Sequence, residues 1–170
     1  MRIRLSRESD IARILEIYSR ARAFMAANGN PRQWGATGWP PEDLVREDIA
    51  LGRSRVCEDE NGRIIAVFVY LFGEDIDDTY RVLEGGEWSR SGAYGVVHRI
   101  AADGPKGTGS FCIEWALRES GYLRIDTHGD NRVMLHLLPK LGFRECGVIH
   151  VAEDNDPRIA FDRVLSPYEP

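Results

Sequence analysis

Three cysteines are few for a chain of 170 residues, and their spacing excludes more than their number does. Cys57, Cys112 and Cys146 are odd in count, widely separated and without a CxxC pair. The sequence therefore offers neither a disulfide framework nor the ligand spacing of a structural zinc site, and reduced, mostly buried thiols are expected. Long apolar runs are missing too. The longest, Ile64 to Phe72, is far below the ~20 residues that cross a bilayer, and Met1 to Asp10 lacks the apolar region of a signal peptide. No membrane partner and a cytoplasmic location are the expectation. Excess positive charge is also absent: 22 lysines and arginines stand against 27 aspartates and glutamates, a formal net charge of −5. Nucleic acid is accordingly a poor partner. No internal repeat or low-complexity segment is present, and 43% hydrophobic with 29% charged residues is the composition of a folding globular chain. One domain is expected over 1–166, with 167–170 as a frayed tail.

What is present is strongly patterned. From Ser9 to Asn28, residues Ile11, Ile14, Leu15, Ile17, Tyr18, Ala21, Phe24 and Met25 recur at three-and-four spacing, which predicts a helix with one apolar stripe, stopped by Gly29. A turn-rich loop from Asn30 to Pro41 carries Trp34 and Trp39, and a second helix follows from about Glu42 to Leu51. Ser54 to Glu58 and Arg63 to Phe72 read as strands joined by an Asn61-Gly62 hairpin turn; the second is apolar on both faces and so central. After the acidic run Glu74 to Asp78, the pattern predicts a strand over Ala93 to Ala102 and a helix over Gly109 to Ser120. A strand over Tyr122 to Thr127 and a helix over Asn131 to Leu141 follow, then strands near Phe143 to Val151 and Ile159 to Leu165. The order implies an α/β fold with a mixed, mostly antiparallel sheet of six to seven strands flanked by helices.

The chemistry concentrates at Asp103 to Ser110, a glycine-rich turn between a strand and a helix. Positions without side chains let backbone amides converge on an anion, and the helix start adds its own amides and the positive end of its dipole. A phosphate-bearing ligand fits such a turn, with Lys106 and Arg99 making the local charge positive. The Walker A pattern fails, because Ser110-Phe111 stands where its Lys and Ser/Thr belong. The dinucleotide fingerprint also falls short: Cys112 replaces its third glycine, and too little chain follows Asp126 for further strand-helix units.

From Val96 to Phe143 the sequence resembles the GCN5-related N-acetyltransferases. VVHRIAA resembles the strand that binds the acyl cofactor, KGTGSFCIEWA the pyrophosphate loop and helix, YLRIDTHGDN the next strand, and MLHLLPKLGF the helix closing the cofactor site. The amino-terminal helices and hairpin agree with that family's order. Two positions depart from its pattern. Gly104 stands where the turn usually begins with Gln or Arg, and Leu138 stands where members often carry a tyrosine acid.

The resemblance implies acetyl-CoA as co-substrate and an amine of a small molecule or peptide as acceptor, and it admits a homodimer. It implies that the backbone of Arg99, Ile100 and Ala101 bonds the pantetheine arm, while amides of Lys106, Gly107, Thr108, Gly109 and Ser110 hold the pyrophosphate. Asn131 suits an amide of the arm or the N-cap of the helix it precedes, and Met134, one turn on, suits the cofactor or the core. For the base that frees the amine, His128 beyond its strand comes first and His98 second, each set against a purely structural histidine. Trp34 and Trp39 are read as an acceptor wall or as core plugs. The alternation Asp126, His128, Asp130, with His136 nearby, is too weak for a metal site, and none is expected. A non-catalytic acyl-CoA sensor or interaction module is the competing function, raised by Leu138.

Overall fold

The computed structural model describes residues 1–34, 38–151 and 156–166. Seven strands, β1 (Arg2–Leu5), β2 (Ser54–Glu58), β3 (Ile64–Gly73), β4 (Tyr94–Ala102), β5 (Tyr122–His128), β6 (Arg144–His150) and β7 (Pro157–Val164), form one sheet in the order β1-β2-β3-β4-β5-β7-β6. Four α-helices accompany it among the described residues: α1 (Ile11–Ala27), α2 (Glu42–Ala50), α3 (Thr108–Ser120) and α4 (Arg132–Lys140). The β1–β2, β2–β3, β5–β7 and β6–β7 pairings are antiparallel and β4–β5 is parallel, through Gly95 opposite Leu123 and Val96 opposite Arg124. The α/β expectation with a mostly antiparallel sheet is met. No helix among the described residues is long and apolar enough to cross a membrane. The expected tail at 167–170 lies outside the described residues.

The chain divides into two compact units, Met1–Tyr70 with His98–Cys112, and Leu71–Val97 with Ile113–Pro170. In the first, the α1 stripe buries Ile14, Ile17 and Tyr18 against Val45 of α2, Val56 of β2 and Val67 of β3, the outcome its spacing dictates. Trp34 joins this core, its ring edge-on to Tyr18 at 5.8 Å, and Trp39 packs against the same cluster. The hairpin turn forms as read: Gly62 takes φ of 77° and Asp59 accepts from the amides of Asn61 and Arg63 at 2.9 Å. Strand β1 was not foreseen. Arg2 and Arg4 on it reach Glu58 of β2 at 2.7 and 2.6 Å, a pairing across the chain that fixes a four-residue strand at the sheet edge.

The second unit is organised around buried polar groups. The Asp162 carboxylate accepts from the Tyr122 hydroxyl at 2.9 Å and from the amide and hydroxyl of Ser89 at 2.5 and 2.7 Å. Arg124 donates to the Tyr122 hydroxyl and to the Arg90 carbonyl, and its guanidinium lies 3.9 Å over the Tyr94 ring and 4.4 Å over Trp88. These contacts strap the segment before β4 onto its own unit. Glu84 and Val148 exchange both backbone bonds, so the strap also covers the exposed edge of β6.

Candidate active site

The glycine turn belongs to the first unit and is anchored at its entry. The Asp103 amide donates to the Ile65 carbonyl at 3.0 Å, and the Asp103 carboxylate receives Arg13 at 2.7 and 2.8 Å, with Arg20 at 3.3 Å. Arg13 also donates to the Ile64 carbonyl, so α1, β3 and the turn share one guanidinium. Gly104 explains the first departure from the family pattern. A Cβ there would meet Ile65 Cβ and Thr108 Oγ1 at 2.8 Å, too close for any side chain, because the turn is pressed onto β3.

Past the anchor the turn opens. Gly107 has φ of 99°, which favours glycine, and a Cβ at Gly107 or Gly109 would meet nothing within 4 Å. Thr108 is turned inward: its amide and hydroxyl both donate to the Pro105 carbonyl, the hydroxyl at 2.7 Å. Among the described residues the amides of Gly107, Gly109 and Ser110 have no backbone acceptor, two of them at the start of the 13-residue α3. The expected row of amides is thus shortened by Thr108. What is left, amides beside side-chain-free space at a helix N-terminus, suits an anionic oxygen cluster such as a diphosphate.

Charge at the turn differs from the sequence reading. Arg99 does not lend its charge to the turn, because its Nη2 donates to Asp48 Oδ2 of α2 at 2.7 Å, and Asp48 is only 4% exposed. Lys106 is exposed. Arg99 also carries φ of 50°, a conformation that side-chain-bearing residues seldom adopt, while next along the strand Ile100 is half-buried and Ala101 buried.

In the second unit the expected residues are occupied. His128 is 3% exposed; its Nδ1 accepts from the Asp130 amide at 3.0 Å and its Nε2 lies 3.0 Å from Asp156 Oδ2. With Nδ1 accepting, Nε2 carries the proton and donates to Asp156. The Nδ1 lone pair is thus engaged by the Asp130 amide within the tight turn between β5 and α4. Asn131 is the N-cap of α4, its side-chain oxygen accepting from the Met134 amide at 3.2 Å. Met134 is half-buried, and Leu138 is 0% exposed, so the position of the family's tyrosine points into packed core. His136 bonds the Arg132 carbonyl at 2.6 Å. Asp126 receives the Tyr80 hydroxyl at 2.8 Å, whereas His128 and Asp130 meet each other across the turn. No metal-binding group of three such residues occurs among the described residues.

The remaining residues are settled by burial. His98 is half-buried on β4. Trp34 is core and Trp39 half-buried against it, which favours plugging over a solvent-facing wall. All three cysteines are free and buried, as expected, and burial pushes the Cys146 thiol up to about 12. Sequence reading missed Tyr18, Asp48 and Tyr80. Their only signal was that a buried hydroxyl or carboxylate needs a partner.

The fold has close counterparts among solved structures. A GNAT-family acetyltransferase from Streptococcus agalactiae 2603 is 26% identical, with 97% of this chain and 95% of that one covered and a TM-score of 0.87. A ribosomal-protein-alanine N-acetyltransferase from Brucella melitensis (17% identity, 97% and 100% covered, TM-score 0.61) shares the fold. So does NAA60 of Arabidopsis thaliana, solved with acetyl-CoA (11% identity, 96% and 97% covered, TM-score 0.64). No protein-family model matches the sequence, and no curated protein does. The strand order and the likeness over nearly the whole chain are those of the GCN5-related N-acetyltransferases, whose fold this chain shares.

Proposed function

We propose that the chain is an N-acetyltransferase that moves an acetyl group from acetyl-CoA to a primary amine of a small molecule or peptide. The observation that carries this reading is the set of amides at Gly107, Gly109 and Ser110, without backbone acceptors among the described residues and with open space at both glycines, in a chain with this fold. In the proposal these amides, with the exposed Lys106, hold the pyrophosphate. The backbone of Arg99, Ile100 and Ala101 bonds the pantetheine arm as one strand bonds another. Thr108 shapes the turn from within, and Asn131 and Met134 serve α4 rather than the cofactor.

The reaction needs a neutral amine, a partner for the oxyanion and a proton for the departing sulfur. The amine nitrogen attacks the thioester carbon; the C–N bond forms, the C–S bond breaks, the amine gives up a proton and the thiolate takes one. The amide of Ile100 serves the oxyanion. With Leu138 in the core, no side chain at that position supplies the last proton. A thiol with an ordinary pKa near 8.5 is a good enough leaving group for water to do so. His128 is committed to Asp130 and Asp156, which leaves His98 or water to take the proton from the amine.

Calorimetric titration of coenzyme A tests the site. Gly107→Glu should weaken binding at least ~100-fold, by charge and bulk among amides that favour an anion. Gly107→Ala, which keeps only the backbone strain, should weaken it several-fold. Equal affinities for wild type and Gly107→Glu would refute the site. The buried Leu138 and the engaged His128 favour a second reading, a sensor that binds acetyl-CoA without turnover. Thiol release across a panel of amines, with mass spectrometry of the products, decides between them: an enzyme releases coenzyme A in step with amine, a sensor does not.

A further inference from the structure

A non-glycine residue at positive φ persists only where its surroundings over-determine it, and such strain collects at functional positions. Arg99 is one of two such residues among the described residues, and unlike Asp75, the other, it sits inside a strand. Two contacts from outside β4 hold it. The Tyr18 hydroxyl of α1, in a side chain 1% exposed, donates to the Arg99 carbonyl at 3.1 Å. Asp48 of α2 holds the guanidinium at 2.7 Å. The backbone is gripped on one side and the side chain on the other. The guanidinium is also held at some disadvantage, since Arg99 Nε is buried with no hydrogen-bond partner among the described residues. Stability alone would select a glycine or an ordinary extended residue here. The fold keeps an arginine and clamps it.

Resting on the proposed function, we infer that Tyr18 and Asp48 are positioning residues: they lock the left-handed turn of the chain at Arg99 and thereby fix the amide of Ile100 that meets the oxyanion. Neither touches the reacting atoms. Burial raises the Tyr18 phenol, Arg99 opposes this and Asp48 adds to it, and the net shift is well upward, so the hydroxyl stays a donor through any working pH. The Tyr18 side of the clamp does not switch with pH.

Glycine adopts positive φ without strain, so Arg99→Gly removes the need for a clamp and supplies the control. Tyr18→Phe and Asp48→Asn should each lower kcat roughly tenfold with KM for acetyl-CoA near wild type, less than the 10²–10³ lost when an oxyanion donor is deleted outright. In the Arg99→Gly background, Tyr18→Phe should lower kcat less than ~2-fold further, because the strain it restrains is gone. The three-bond HN–Hα coupling of Arg99, measured by NMR without any ligand, should change in Tyr18→Phe. Wild-type kcat in both single variants, or losses from Tyr18→Phe and Arg99→Gly that multiply, would overturn the inference even if thermal stability falls. Should the wild-type protein release no thiol with any amine, the proposed function fails by itself. The coupling then decides: a change supports the clamp, and an unchanged value in Tyr18→Phe removes it.

Discussion

Two junctions in this protein have the same grammar, a strand that runs into a tight polar turn and then a helix, and opposite endings. At β4 to α3, in the first unit, the turn is anchored at its entry by Arg13 and Asp103 and then left open, with the amides of Gly107, Gly109 and Ser110 facing no backbone acceptor among the described residues. At β5 to α4, in the second unit, the local partners close on one another: Asn131 caps Met134, the Asp130 amide takes His128 Nδ1, and the Asn131 amide takes the His128 carbonyl. A turn that satisfies itself is a structural device. A turn that orders donors and withholds their acceptors, at no side-chain expense, is shaped for something that arrives.

The sharpest way to break that contrast is Gly109→Asp. A carboxylate in the first turn of α3 is favourable to the helix, by 0.3–1 kcal/mol on general grounds, and its Cβ would enter open space. Folding stability should therefore hold or rise. Coenzyme A affinity should fall at least ~100-fold, because the new carboxylate takes the amides and repels the diphosphate. Calorimetry and thermal unfolding on one preparation read both quantities. Unchanged affinity would mean that the open amides face nothing but water.

The sequence made the first junction more legible than the second, for a physical reason. Glycine spacing specifies backbone freedom directly, so Gly107 and Gly109 announced the open turn. A histidine announces only that it can titrate. Whether its nitrogens are free depends on neighbours such as Asp156, which is far along the chain and reaches His128 only through the β5–β7 ladder. Helices and central strands were read almost to the residue because burial imposes their period. β1 was missed, although Arg2-Ile3-Arg4-Leu5 does alternate, because four residues are too short a signal until Glu58 is known to pair with both arginines. The strain at Arg99 left no mark in the sequence. It exists only once α1 and α2 have docked Tyr18 and Asp48 onto β4.

His128→Ala tests the closed junction next. Removing a buried ring that holds two partners should destabilise the fold by roughly 1–3 kcal/mol, the range for leaving hydrogen-bonding groups unpaired. A general base would instead show a 10²–10⁴ loss in kcat/KM near neutrality that shrinks at high pH. The geometry predicts a modest loss with a flat ratio to wild type across pH, measured at a temperature where both proteins are folded. A ratio that climbs toward unity with pH would restore His128 to the chemistry.

The smallest expected effect separates the two roles open to Asn131. As an N-cap, its side chain accepts from Met134 at 3.2 Å, and Asn131→Ala should cost about 1 kcal/mol in urea unfolding. Asn131→Asp should cost almost nothing, because a carboxylate caps equally well and sits at the favourable end of the α4 dipole. A cofactor contact makes the reverse demand. An amide donating to the pantetheine arm cannot be replaced by a carboxylate, which has no proton to give, so Asn131→Asp would then weaken coenzyme A binding as much as Asn131→Ala. The capped geometry predicts that Asn131→Asp keeps both stability and affinity. If stability holds while affinity falls, the closed junction is not closed to the ligand, and the contrast between the two turns becomes one of degree.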